Sequence, residues 1–186
     1  MKKLGSTLKS QSGNIDTEQA LSNKGIIGLY FCAQWAYLTR CDMGLTLVTP
    51  IIGKKYNELK AAGKSIEIIF VSYDRDESAF NNYHDSMPFL ALPYSKRELP
   101  KALSLEFGLK GIPELVLLDG RTGELITTNG VLAFRSDMNV VLDYPFDRYR
   151  RSSGKDERAS TATRPEKKIT TNKHGHFCPE DCACLK

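Results

Sequence analysis

The sequence predicts an α/β domain with a mixed β-sheet and helices on both of its faces, followed by a basic tail. Two continuous apolar runs of strand length, helical periodicity between and after them, and a change of composition near residue 147 predict this arrangement. Of the 186 residues, 41% are hydrophobic and 26% are charged, as in ordinary globular proteins. We therefore expect one domain over 1–146 and a tail over 147–186.

Two buried strands are predicted in the first half of the chain. Ile26–Cys32 and Ile66–Tyr73 are short apolar runs rich in β-branched and aromatic residues. Such runs are typical of central strands that are covered on both faces. These two segments should form the middle of the sheet.

Helical periodicity follows each of these strands. After Thr49 and Pro50, apolar residues recur at helical spacing as far as Gly63. A second helix is expected after the polar stretch Asp74–Ser78, and a third over Lys96–Phe107. The apolar residues assigned to the first two helices are Ile51, Ile52, Tyr56, Leu59, Ala62, Phe80, Tyr83 and Met87.

A β-hairpin should complete the sheet. The apolar run Leu115–Asp119 is followed by the turn sequence Gly120–Gly123 and by a second short strand, Glu124–Thr128. Two strand–helix units followed by a hairpin give a sheet with both parallel and antiparallel pairs.

The tail carries the whole excess of positive charge. The formal net charge is +4, and residues 147–186 hold ten Lys or Arg against six Asp or Glu. From Arg150 to Lys173 there are almost no large apolar residues, so we expect disorder. So small a net charge does not indicate a nucleic-acid partner, and no apolar run approaches the roughly 20 residues of a membrane span. No secretory signal follows Met1, so a cytoplasmic or also nuclear location is expected.

The five cysteines fall into two groups. Cys32 and Cys41 lie near the first strand, and Cys178, Cys182 and Cys184 lie in the last nine residues. An odd number of cysteines in a reducing compartment argues against a disulfide framework. Cys32, at the end of a strand, is predicted to be a small, buried and unreactive residue.

The folded part resembles the thioredoxin superfamily, and within it the tryparedoxin and nucleoredoxin-like branch. The resemblance covers roughly residues 20 to 146. It implies a thioredoxin-like fold, descent from thiol-disulfide oxidoreductases and a cis peptide bond before Pro113. The segments that carry the resemblance are Leu29–Trp35, Thr49–Pro50, Ile69–Ser78, Met87–Tyr94, Phe107–Pro113 and Asp119–Gly123.

The paired cysteines of that family are missing from this sequence. The family's chemistry uses two cysteines separated by two residues directly after the tryptophan, where a helix N-terminus lowers the thiol pKa. After Trp35 the matching positions hold Ala36 and Thr39. Cys41 is the thiol left in this loop, and it is the candidate nucleophile. It is either a single reactive cysteine or an incidental thiol, since Asp42 beside it opposes thiolate formation.

The resemblance also implies a groove that pairs with an extended peptide. Trp35, Ile112 and Pro113 would line it, and protein partners would bind there. For Trp35, simple core packing is the alternative. The acidic run Asp74–Glu77 is predicted to be a solvated, helix-capping turn rather than a metal site.

Three interpretations of the terminal His/Cys cluster stay open. Its imidazoles and thiols have the chemistry of zinc ligands, although their spacing is not that of a standard finger. The cysteines could instead resolve a mixed disulfide formed at Cys41, or the cluster could be an unstructured end without a role. No cofactor or resident metal is expected. The cluster consists of His174, His176, Cys178, Cys182 and Cys184.

The expected function is that of a thioredoxin-fold protein with a degenerate active site, which acts as a protein-binding or redox-regulatory module. The alternative is an active protein-disulfide reductase. In that mechanism Cys41 attacks the substrate disulfide, and one of the three tail cysteines completes the exchange.

Overall fold

The chain divides into two compact units, Met1–Arg151 and Ser152–Lys186. The first unit includes the 3₁₀ turn Asp147–Tyr149, which the sequence had placed in the tail. Predictions about Cys41 and most of the terminal cluster fall outside the described residues. The computed structural model describes residues 2–38, 48–135, 139–149, 169–171 and 177–179.

The first unit contains seven strands and seven α-helices within the part of the chain that the structure describes. The strands are β1 (Thr7–Ser10), β2 (Gly13–Asp16), β3 (Ile26–Cys32), β4 (Ile66–Ser72), β5 (Leu90–Ala91), β6 (Glu114–Asp119) and β7 (Leu125–Thr127). The helices are α1 (Thr17–Leu21), α2 (Gln34–Leu38), α3 (Val48–Ala61), α4 (Glu77–His84), α5 (Glu98–Phe107), α6 (Gly130–Arg135) and α7 (Val140–Asp143). A further 3₁₀ turn spans Lys2–Leu4.

The sheet is mixed, as the sequence predicts. Its strand order is β2-β1-β5-β4-β3-β6-β7. The pairs β3–β4 and β4–β5 are parallel, whereas β1–β2, β1–β5, β3–β6 and β6–β7 are antiparallel. The N-terminal hairpin β1–β2 extends one edge and was not foreseen, because its short strands carry little apolar alternation.

Alternate residues of the central strands supply two cores, one on each face of the sheet. Along β3, Ile26 and Tyr30 pack with helices α3, α4, α6 and α7. Ile27, Leu29 and Phe31 pack with α1 and α5 on the opposite face. The period of two along a buried strand therefore places helices on both sides.

The boundaries of two predicted helices were wrong by a few residues. Helix α4 ends at His84, so Met87 lies beyond it, although its side chain is still buried. Helix α5 begins at Glu98 rather than at Lys96. It ends at Phe107, and the C-cap residue Gly108 has a φ of 63°, the left-handed conformation that glycine adopts at low cost.

The second unit contains one described antiparallel pair, β8 (Ile169–Thr171) with β9 (Phe177–Pro179). Thr170 is paired with Cys178 in this ladder. The rest of the predicted disordered tail lies outside the described residues.

Candidate functional site

Trp35, Ile112 and Pro113, which the sequence predicts to line a groove, lie on segments next to three neighbouring strand ends. In the sheet, β3 lies between β4 and β6. Cys32 at the end of β3 pairs with Ser72 at the end of β4, and Phe31 pairs with Glu114 at the start of β6. Helix α2, which carries Trp35, begins two residues after β3. The peptide bond between Ile112 and Pro113, directly before β6, is cis in this structure.

A buried carboxylate fixes the start of helix α2. The Gln34 backbone N–H donates to Asp74 Oδ1 at 2.7 Å, and the Ser72 hydroxyl donates to Asp74 Oδ2 at 2.8 Å. Asp74 is fully buried, which raises the pKa of its carboxyl group although these donors oppose the change. The prediction of a solvated turn was therefore wrong at this position, because the backbone of α2 covers the side chain.

Asp76 has the helix-capping role that the sequence predicts. Its Oδ1 accepts a hydrogen bond from the Ala79 backbone N–H at 2.8 Å, which caps α4. The side chain of Asp76 is exposed. The two acidic residues thus cap two different helices, one through a contact between distant segments and one locally.

Trp35 lies at the surface of this edge and is not a core residue. Its side chain is 39% exposed, and its indole N–H donates to the Tyr73 carbonyl at 3.2 Å. The Arg75 guanidinium lies 6.0 Å from the centre of the indole ring. The ring is thus held in one orientation beside a cation while part of its surface stays open.

The two residues predicted to line the groove beside Trp35 are half-buried. Ile112 packs against the core on the α1 and α5 face, and Pro113 lies between it and β6. Glu114 follows them, and burial raises the pKa of its carboxyl group. Sequence reasoning did not single out this acidic residue.

Cys32 is a buried thiol, as predicted. It is 3% exposed, its Sγ lies 3.4 Å from the Tyr83 hydroxyl, and burial raises the pKa of the thiol. The Thr49 hydroxyl lies 2.7 Å from the hydroxyls of both Tyr30 and Tyr83. A thiol in this network is shielded from solvent and is held in its protonated form, so it cannot serve as a nucleophile.

A row of alternating arginine and aromatic side chains extends from Trp35, and sequence reasoning missed it. After Arg75 come Tyr94, whose hydroxyl donates to the Arg75 carbonyl at 2.7 Å, and Arg97, which lies 4.4 Å from the centre of the Tyr94 ring. Arg97 also donates through Nη2 to the Asp74 carbonyl at 2.8 Å. We call these four residues the arginine–aromatic row. In the sequence, Arg75 lies about 40 positions after Trp35 and about 20 positions before Tyr94 and Arg97, so no short spacing could have revealed the row.

Two cavities flank the first unit. One, of about 680 Å³, lies next to the site between α3 and α4, and Gln34, Thr49 and Tyr83 are among its lining residues. The other, of about 940 Å³, lies at the opposite ends of β3 and β4, beside Gly25 and Ser65. The larger cavity is therefore remote from the predicted site residues.

Most of the remaining predicted site residues lie outside the described part of the chain. This applies to Cys41, His174, His176, Cys182 and Cys184. Within the described residues, no group of three or more His, Cys, Asp or Glu side chains is arranged to hold a metal ion. No described helix is both long and apolar enough to cross a membrane.

The fold and the meeting of strand ends beside a cis-proline define a thioredoxin-like protein. A family model described as thioredoxin-like matches residues 24–125, and the chain belongs to this family. Human nucleoredoxin is 38% identical over 111 residues, which are 60% of this chain and 24% of nucleoredoxin. The chain thus spans about a quarter of the length of that relative.

The tryparedoxins are similar over more of their length. Tryparedoxin from Trypanosoma brucei brucei is 32% identical over 121 residues, which are 65% of this chain and 78% of that protein. A solved structure of tryparedoxin from Trypanosoma brucei has a TM-score of 0.65 and 31% identity, and the match covers 76% of this chain and 91% of that one. For tryparedoxin I from Leishmania major the TM-score is 0.65 at 30% identity, with 81% and 97% covered. The predicted fold and family are confirmed.

Proposed function

We propose that this chain is a protein-binding module built on a thioredoxin-like fold, with a degenerate redox site. Its partners would bind as extended segments along the groove beside Trp35, Ile112 and Pro113. The observation that carries the proposal is Trp35, a large aromatic side chain that is 39% exposed yet fixed in orientation by its hydrogen bond to Tyr73. Rigid, partly exposed aromatic rings of this kind are common in the energetic centres of protein interfaces.

The start of helix α2 supports a loss of dithiol chemistry. In a redox site, the amides at this helix end would stabilise a thiolate. Here the first amide of the helix, that of Gln34, already donates to the Asp74 carboxylate. Ala36 stands where the first cysteine would be, and no two cysteines of the sequence are separated by two residues.

A disulfide-reduction assay tests the redox part of the proposal. Insulin is the substrate and dithiothreitol the reductant, with the full chain compared with Cys41→Ser and with a chain lacking residues 152–186. Cys32→Ala is the matched control, since it removes a buried thiol. We expect none of the four proteins to exceed the background rate. Turnover that disappears in Cys41→Ser would establish the reductase alternative, and its further loss without the tail would assign the resolving cysteine to that unit.

A peptide array tests the binding part. The labelled full chain is applied to 12-residue peptides of varied composition, beside the variants Trp35→Ala and Leu132→Ala. Leu132 is 64% exposed on helix α6, so its variant is a control for the loss of an exposed apolar side chain. We expect binding that Trp35→Ala abolishes and Leu132→Ala retains. Equal binding by both variants would contradict the proposed groove.

A further inference from the structure

The strongest unassigned feature of the surface is the arginine–aromatic row of Trp35, Arg75, Tyr94 and Arg97. The Arg97 guanidinium lies 4.4 Å from the centre of the Tyr94 ring, and the Arg75 guanidinium lies 6.0 Å from the centre of the Trp35 ring, near the outer limit of a cation–π contact. A guanidinium that stacks on a ring, as Arg97 does, keeps its edge N–H groups able to donate.

Within the described residues, neither arginine forms a salt bridge, although the charge of Arg97 lowers the pKa of the buried Asp74 carboxyl group. The ion pairs there join Lys3 to Glu106, and Lys24 and Lys60 to Glu67. None of them includes Arg75 or Arg97.

The two acidic residues on either side of Arg75 in the sequence, Asp74 and Asp76, already accept hydrogen bonds. Asp74 is buried, and it accepts hydrogen bonds from Gln34 and Ser72. Asp76 caps helix α4. Arg75 and Arg97 are both exposed, and their contacts with Trp35 and with the Asp74 carbonyl place them at the same edge of the sheet.

The remaining hydrogen-bonding capacity of the row points outward. Arg97 uses Nη2 to hold the Asp74 carbonyl, and the Arg75 guanidinium makes no hydrogen bond among the described residues. A guanidinium has five N–H donors in a planar fork that matches the two oxygens of a carboxylate. The row thus offers donors and positive charge beside an apolar ring, which are the complementary features of an acidic peptide.

We infer that the binding groove selects extended protein segments rich in Asp or Glu, whose carboxylates pair with Arg75 and Arg97 while an adjoining side chain contacts Trp35. This inference rests on the proposed function, because it names the class of segment that the same groove accepts.

The sole tryptophan of the chain provides a direct measurement at the site. Trp35 fluorescence of the full chain is titrated with three 12-residue peptides that share one Gly/Ser framework and carry four Glu, four Gln or four Lys. We expect the Glu peptide to bind about tenfold more tightly than the Gln peptide, since two exposed arginine–carboxylate pairs that each contribute about threefold give this difference. The difference should shrink between 50 and 300 mM salt because exposed charges are screened.

Single-residue variants distinguish binding at the arginine–aromatic row from attraction by the overall charge of the protein. Arg75→Gln should weaken binding of the Glu peptide by about threefold, and Arg75→Glu should remove the preference for the Glu peptide over the Lys peptide. Arg121→Gln is the matched control, because Arg121 is an equally exposed arginine in the β6–β7 turn, far from the row. It should change the affinity by less than about twofold.

Each contrary result has a distinct meaning. Equal binding of the three peptides would overturn the selection for acidic segments and leave the binding groove intact. If Arg75→Gln and Arg121→Gln weaken binding equally, the preference for the Glu peptide would result from the net charge of the protein and not from the arginine–aromatic row. A 12-nucleotide oligodeoxythymidylate that competes as well as the Glu peptide would replace the inference with a general polyanion surface. No fluorescence response to any peptide would overturn both this inference and the proposed groove.

Discussion

Two buried titratable side chains, Asp74 at the site edge and His84 at the corner between α4 and β5, are held in different ways. Asp74 accepts hydrogen bonds from Gln34 and Ser72 through both carboxylate oxygens. The His84 imidazole donates from Nε2 to the Phe89 carbonyl at 2.9 Å, and within the described residues its Nδ1 has no partner.

The His84 ring also lies among aromatic side chains. Its ring is nearly parallel to those of Phe80 and Phe70, at centroid distances of 5.8 and 6.4 Å. Burial lowers the pKa of His84 and raises the pKa of Asp74. Both groups therefore favour the neutral form. Hydrogen bonds from two donors, Gln34 and Ser72, oppose this shift at Asp74, whereas a single hydrogen bond to the Phe89 carbonyl opposes it at His84.

The largest expected effect is that of Asp74→Ala. It leaves the Gln34 amide and the Ser72 hydroxyl buried without their acceptor, which should lower the free energy of unfolding by about 2–3 kcal/mol. Asp76→Ala removes the local, exposed cap of α4 and should lower it by about 1 kcal/mol. Urea unfolding followed by far-ultraviolet circular dichroism measures both. Equal losses would show that the Asp74 contacts are no stronger than an ordinary cap.

Acid should destabilise the protein through His84. The folded-state pKa lies below the unfolded value of 6.5, so the stability that the neutral ring contributes is present above pH 6.5 and is lost as the pH falls below it. The loss should reach about 1.4 kcal/mol per pH unit before the folded-state pKa is reached. His84→Gln, which can still donate to Phe89, should lack this component when unfolding is measured between pH 7 and 5. An unchanged slope in that variant would assign the acid sensitivity to other groups.

Asp74 should show the opposite pH dependence. Its folded-state pKa lies above the unfolded value of 3.8, so the contribution of the protonated form is present below pH 3.8 and is lost as the pH rises through the folded-state pKa. The amplitude is limited because Ser72 and the Gln34 amide favour the carboxylate. Wild type should therefore lose stability relative to Asp74→Asn between pH 3.5 and 6. A difference that does not change with pH would contradict the raised pKa.

The smallest expected effect on stability is that of Trp35→Phe. Because the side chain is 39% exposed, the free energy of unfolding should change by no more than about 0.5 kcal/mol. The peptide array should nevertheless show weakened binding, since phenylalanine lacks the N–H that holds the ring on Tyr73. A loss of stability as large as that of Asp76→Ala would show that Trp35 belongs to the core after all.

Much of the fold was predictable because short segments of the sequence carry the patterns that are typical of strands, helices and turns. The apolar runs at β3 and β4, the helical spacing of α3 and the turn between β6 and β7 are each legible within fewer than twenty residues. The hairpin β1–β2 was not foreseen, because in Gly13–Asp16 exposed and partly exposed residues predominate and no apolar alternation marks the strand. The burial of Cys32 was predicted from its place in an apolar run.

The sequence by itself determined the two-sided α/β sheet, the family and the absence of a cysteine pair with two residues between its members. These properties depend on residue types at short spacings. Only the tertiary structure decided that Asp74 is buried beneath α2 and that Arg75 lies beside Trp35. The first contact joins residues 40 positions apart in the chain. Contacts of this kind arise where β3 and β4 end at one edge of the sheet, and no local pattern encodes which side chains meet there.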